Sequence, residues 1–186
     1  MPKVIHTNTK GLYQESGSGV HFQSTSNRMA LWTKTEKITD DADGVRTLTV
    51  AESGTCFIID DAALVLTLPG PSAETIGTRY KFIIADEEAT AFVIKTGTDN
   101  SVFWSGGYAV IAKSAALSKS FVADGDSNSK ITLNGTTTGG LVTGATGDSN
   151  NLNVITITGV ASSGGAWFCE YVGQGSGTLA TPFADQ

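Results

Sequence analysis

The sequence predicts an all-β protein, with a β-sandwich or irregular β-barrel body behind an extended N-terminal arm. Composition is the first observation. The chain of 186 residues holds 22 Gly, 25 Thr and 17 Ser. Thr is stiff at χ1, Ser competes for backbone hydrogen bonds and Gly raises the entropy cost of ordering, so this mixture disfavours helices. Patterning is the second. From Arg46 onward, short apolar runs with period-two alternation recur about every 8–15 residues between turn signals. The third is that no helical period persists; "KSAALSKS" (113–120) is the one stretch that reads as helix, two turns at most.

Residues 1–45 read as the arm. They are polar, with isolated bulky anchors at Leu12, Tyr13, Val20, Phe22, Met29, Leu31 and Trp32. Such a segment cannot bury enough of itself to fold alone, so its aromatics predict docking on another surface. The body is expected over 46–173. "RTLTVAE" puts Leu48 and Val50 on one strand face, and "TCFIID" is a compact apolar strand. "AALVLTLPG" alternates, with Leu64, Leu66 and Leu68 on one face, and ends at Pro69-Gly70-Pro71. "RYKFIIA" sets Tyr80, Phe82 and Ile84 opposite Arg79 and Lys81; with "AFVIKTG" it predicts an antiparallel hairpin over 78–97. "NSVFWSGGYAVIA" reads as two short strands around Gly106-Gly107, and "KITLNG" as another strand. "VITITGV" and "AWFCEYVG" form a hairpin through "ASSGG". In the second, Trp167, Cys169 and Tyr171 share a core face, and this terminal aromatic strand is expected to close a sheet edge. Residues 174–186 are expected to be a flexible C-terminal tail with one anchor, Phe183. No fixed-period repeat is visible.

Net charge is −6, which argues against a nucleic-acid partner. The charge is uneven: residues 1–39 carry +3 and the remainder −9. A basic arm ahead of an acidic body suits docking on an acidic surface. No apolar run is long enough for a membrane span, and the first residues have no apolar signal core, so synthesis in a cytoplasm is expected, with retention there or release by lysis. Cys56 and Cys169 each lie in an apolar strand and read as buried free thiols, with a Cys56–Cys169 disulfide left open until geometry is known.

Catalytic patterns are lacking. The two histidines, His6 and His21, both fall in the arm, a poor place for a rigid triad, and no nucleophile elbow, zinc helix or phosphate loop occurs. The chain is therefore expected not to be an enzyme and to need no metal or cofactor. Asp124, Asp126 and Asn128 match the start of a calcium loop, but Ser129 stands where Gly is needed and Gly135 where Glu is needed, so a plain Asp/Asn turn is preferred. Trp104 beside "SGGY" could stack on a sugar or sit in the core.

The stretch "LTVAESGTCFIIDDAALVLTLPGPSAETIGTRYKFIIA" resembles a pattern recurring in structural proteins of tailed bacteriophages, as does the ending, with its isoleucine-rich strand, Gly turn, Trp167 and Gly-rich finish. The resemblance spans roughly residues 48–177 and leaves the arm uncovered. Modules of this kind occur in capsid decoration (cement) proteins, head fibres and tail fibres. The resemblance implies a virion structural protein on the outer capsid surface, made in the host cytoplasm, that stabilises contacts between capsomers. Its implied partners are the major capsid protein and further copies of itself, a homotrimer by analogy. Tyr13, Phe22, Leu31, Trp32 and Phe183 are the expected capsid or partner contacts. The alternative is a fibre or adhesin module binding host-surface glycans through Trp104, Tyr108 and the 136–151 loop.

Overall fold

The computed structural model describes residues 4–7, 11–14, 34–39, 44–60, 64–84, 92–96, 104–114, 117–123, 129–133, 153–162, 166–174 and 179–184. Within them the chain is all β, apart from a 3-10 turn at Val50–Glu52. The strands are β1 (Val4–Thr7), β2 (Gly11–Gln14), β3 (Lys34–Thr39), β4 (Val45–Thr47), β5 (Thr55–Asp60), β6 (Val65–Leu68) and β7 (Arg79–Ile84), followed by β8 (Phe92–Thr96), β9 (Trp104–Ser114), β10 (Leu117–Val122), β11 (Lys130–Leu133), β12 (Asn153–Gly159), β13 (Trp167–Gln174) and β14 (Phe183–Ala184). They form a seven-stranded sheet, β10-β9-β13-β12-β7-β5-β3, a five-stranded sheet, β14-β11-β8-β6-β4, and a separate two-stranded sheet of β1 and β2.

One hydrophobic core takes residues from both large sheets, as a sandwich requires. The alternation that predicted the strands also sets their buried faces. Phe57 and Ile59, Tyr80, Phe82 and Ile84, Ile155 and Ile157, and Trp167, Cys169 and Tyr171 come from the seven-stranded sheet. Leu66 and Leu68, Phe92 and Ile94, Ile131 and Leu133, and Phe183 come from the five-stranded one. Aromatic rings fill the middle: Phe57 stacks on Phe82 with centroids 5.5 Å apart, and Tyr80 lies 6.0 Å from Trp167. The buried hydroxyl of Tyr80 donates to the Thr49 carbonyl at 2.7 Å, and that of Tyr171 to Asn153 Oδ1 at 3.3 Å. Both polar tips are thereby satisfied inside the core.

From β3 to β8 the chain switches sheets at every strand. It therefore winds in coils, with β3, β5 and β7 parallel in one sheet and β4, β6 and β8 parallel in the other. Parallel neighbours need a long crossover, and here each crossover carries a strand of the opposite sheet. This overturns the expected 78–97 hairpin: β7 and β8 lie in different sheets. Tyr80, Phe82 and Ile84 of β7 and Phe92 and Ile94 of β8 turn into the shared core, each from its own sheet, instead of lying side by side in one plane.

Other expectations are corrected. Residues 113–114 and 117–120, expected as helix, belong to the β9–β10 hairpin, because the edge of β9 offers ladder hydrogen bonds that a short isolated helix cannot match. Gly106-Gly107 does not divide two strands; both lie within one long strand, β9, paired with Phe168 and Cys169 just after a register shift between Trp104 and Gly106. Val50 does not share a strand face with Leu48, since the strand ends at Thr47 and the 3-10 turn begins at Val50. Strand β13 is not an edge but an interior strand, antiparallel to β12 as expected and parallel to β9. The expected boundary at residue 45 falls too late, because β3 and the start of β4 already belong to the two large sheets. The tail expected over 174–186 contributes Gln174 to β13, and Phe183–Ala184 form β14, paired with Lys130 and Ile131.

Candidate interaction surface

Of the expected contact residues, Tyr13 lies in β2 opposite Ile5. Phe22, Leu31 and Trp32 lie outside the described residues. Phe183 is a correction: at 3% exposure it belongs to the core and cannot serve as a surface anchor. A lone Phe among Gly, Ser and Thr is as consistent with a core plug as with an external anchor, and only the pairing of β14 with β11 separates the two. The Asp124–Asn128 turn and the 136–151 loop also lie outside the described residues.

Neither cysteine is bonded to the other; both are free, Cys169 buried and Cys56 half-buried. Burial pushes the Cys169 thiol well above its ordinary range, with Glu170 adding to the effect, so it is a packing group and not a nucleophile. Among the described residues, no group of three or more His, Cys, Asp or Glu side chains is placed to hold a metal, and no helix is long and apolar enough to cross a membrane.

A cluster of charges sits where the two sheets meet beside β3 and β4. Arg46 of β4 reaches Glu36 of β3 at 2.5 Å and Glu52 of the 3-10 turn at 2.6 Å, with its guanidinium 5.2 Å from the Phe57 ring centroid. Lys34 also pairs with Glu36. Hydrogen bonds from Arg46 and then Lys34 hold the Glu36 carboxyl below its usual range. Burial pushes Glu52 up, but Arg46 and Thr49 outweigh it and the net shift is downward. Every charge here is satisfied within the chain, so the cluster fastens one sheet to the other.

The outer face of the seven-stranded sheet is different. Cross-strand register lines up Lys37, Ile58, Ile83, Val154, Val172, Val110 and Ser120 in one row across all seven strands. The next row on the same face is Thr35, Cys56, Lys81, Thr156, Glu170, Tyr108 and Val122. Val172 and Val122 are 56% and 76% exposed, and Tyr108 and Val110 are exposed beside them. Tyr108 packs edge-on against Phe168, centroids 6.5 Å apart, and its hydroxyl donates to Glu170 Oε1 at 3.1 Å. That bond, first of all, raises the phenol above its ordinary range.

Known proteins add nothing to this description: the chain matches no family model and no curated protein.

Sequence reading recovered Tyr108 as a candidate and missed the rest of the face. The signal was present in "FIID", "KFII" and "NVITI", where apolar residues occupy both strand faces instead of one. A strand apolar on both faces is either interior to several layers or turned toward a partner.

Proposed function

We propose that this chain is a virion structural protein of a tailed bacteriophage, a decoration protein that binds the outer surface of the capsid shell and stabilises contacts between capsomers. The observation that carries the reading is the arm. Among the described residues, strands β1 and β2 form a sheet of their own, paired with neither large sheet. An isolated two-stranded ribbon is marginal in water and gains stability by packing on another surface. The bulky side chains spaced through residues 12–32 and the +3 charge of residues 1–39 suit an acidic shell. Weak contacts of this kind sum when many copies engage one lattice.

The test is co-sedimentation with purified capsids. The full chain is expected to pellet with them, whereas a chain lacking residues 1–33 stays in the supernatant with its β-sheet circular dichroism intact. Unchanged binding by the folded truncated chain rejects the arm as the docking element. Binding of neither chain rejects the capsid as partner.

One observation favours a second reading, a fibre or adhesin module for host-surface glycans. Tyr108 presents an exposed ring next to a carboxylate, a pairing suited to stacking on a sugar and accepting its hydroxyls. In that case Tyr108→Ala abolishes signal on a glycan array and leaves virion incorporation unchanged. An array without hits removes this alternative.

A further inference from the structure

Two neighbouring rows on the outward face of the seven-stranded sheet have a symmetry of their own about β12. In the first row, Val154 of β12 is flanked by Ile83 and Val172, and beyond them by Ile58 and Val110. Aliphatic answers aliphatic on either side. In the second row, Thr156 of β12 is flanked by Lys81 on β7 and Glu170 on β13, so here opposite charge answers charge. Lys81 and Glu170 are two strands apart, about 10 Å, too far to pair within one chain. Lys81 makes no ion pair among the described residues. Glu170 gives one oxygen to the Tyr108 hydroxyl and keeps the other.

A pattern symmetric in apolarity and antisymmetric in charge about one strand is what an isologous two-fold contact needs. Rotating a second copy by half a turn about an axis running along β12, above Val154 and Thr156, lays the same face on itself in reverse strand order. Ile83 then meets Val172 of the other copy, Ile58 meets Val110, and Cys56 meets Tyr108. Each Lys81 meets a Glu170, twice over. We propose that the outer face of the seven-stranded sheet is a homodimer interface, two copies packed face to face about a two-fold axis along β12.

The dimensions allow it. The central five strands, about 4.8 Å apart and about 20 Å long, give a flat footprint on the order of 500 Å². Side-chain relief brings that toward the roughly 800 Å² per partner of a standard interface. Two right-twisted sheets pack aligned at about 30°, which concentrates contact on β7, β12 and β13, where the charge pairs lie. A docked arm or a foreign protein could cover an apolar face, but neither calls for the antisymmetry of Lys81 and Glu170. The pairing does not depend on the virion reading, because it concerns the free protein.

Sedimentation velocity on the full chain tests it. The wild type is expected to sediment as a dimer at micromolar concentration. K81E and E170K each set like charges against each other at both equivalent contacts, and each is expected to sediment as a monomer, with the dimer dissociation constant raised at least about 10-fold. An equimolar mixture of K81E and E170K restores both opposite-charge contacts and is expected to return to dimer, one chain of each kind. V172D, at a position 56% exposed and so tolerant of substitution, is expected to be a folded monomer that neither variant rescues. A monomeric or trimeric wild type, single variants that remain dimeric, or a mixture that stays monomeric overturns the proposal.

Discussion

Residue 107 shows how closely β9 and β13 approach. Gly106 and Gly107 have φ values of +134° and +157°, and a Cβ on Gly107 would lie 2.7 Å from the Cys169 carbonyl oxygen. Backbone cannot yield as a side-chain tip can, so Gly107→Val is expected to cost about 2–4 kcal/mol, read as a lowered thermal midpoint. The opposing Cys169 is buried with a raised pKa, whereas Cys56 is half-buried on the outer face. Alkylation of the V172D variant, a monomer by the pairing proposed above, is expected to label Cys56 first and Cys169 only on unfolding. Equal rates for the two thiols would contradict the placement. Phe183 carries the third expectation at this scale. Its 3% exposure makes Phe183→Ala a core deletion, expected to cost about 3–4 kcal/mol in denaturant melts. A surface anchor would lose binding with stability unchanged.

At the scale of elements, the contact between the edge strands β3 and β4 depends on Arg46. Its two carboxylate partners come from β3 and the 3-10 turn, so one side chain ties three successive segments that belong to different parts of the sandwich. Both glutamates have folded pKa values below the ordinary 4.5. A depressed carboxylate stabilises the fold fully above its unfolded pKa and loses that contribution as pH falls through the folded value. Arg46→Met is therefore expected to lower stability at pH 7, by about 1 kcal/mol given the partial exposure of the groups. The gap between wild type and variant is expected to close as pH falls from about 5 toward 3. A gap independent of pH would mean that Arg46 acts through packing on Phe57 alone. The outer edges of the large sheet are guarded differently: β3 carries Lys34 and Lys37, and β10 carries Lys119, whose ammonium donates to the Leu179 carbonyl at 3.1 Å. Lysines on edge strands discourage uncontrolled strand addition. They leave the broad face, and not the edge, as the surface for association.

At the scale of the whole molecule, the described residues form a sandwich coiled from alternating strands, with the separate β1–β2 sheet ahead of it in sequence and an apolar face on its larger sheet. These two features make separable predictions: deleting residues 1–33 is expected to abolish capsid binding and keep the dimer, whereas K81E is expected to abolish the dimer and keep the fold. Much of the architecture was legible in the sequence. Period-two alternation named the buried faces of β6, β7, β12 and β13, and the "ASSGG" turn named the one hairpin that the structure retains from that reading, because adjacent strands with a short link have few alternatives. Alternation says that a strand has an inside face; it does not say which sheet holds the strand. Sheet membership depends on contacts between residues far apart in sequence, such as Lys34 with Thr55 and Thr55 with Tyr80. The sequence by itself therefore determined the all-β class, the core residues and the charged arm, since these follow from composition and local period. Only the tertiary structure decided the coiled course of β3 to β8, the burial of Phe183, and the meeting of Lys81, Thr156 and Glu170 in one row, because register across a sheet is set by which faces must leave water together.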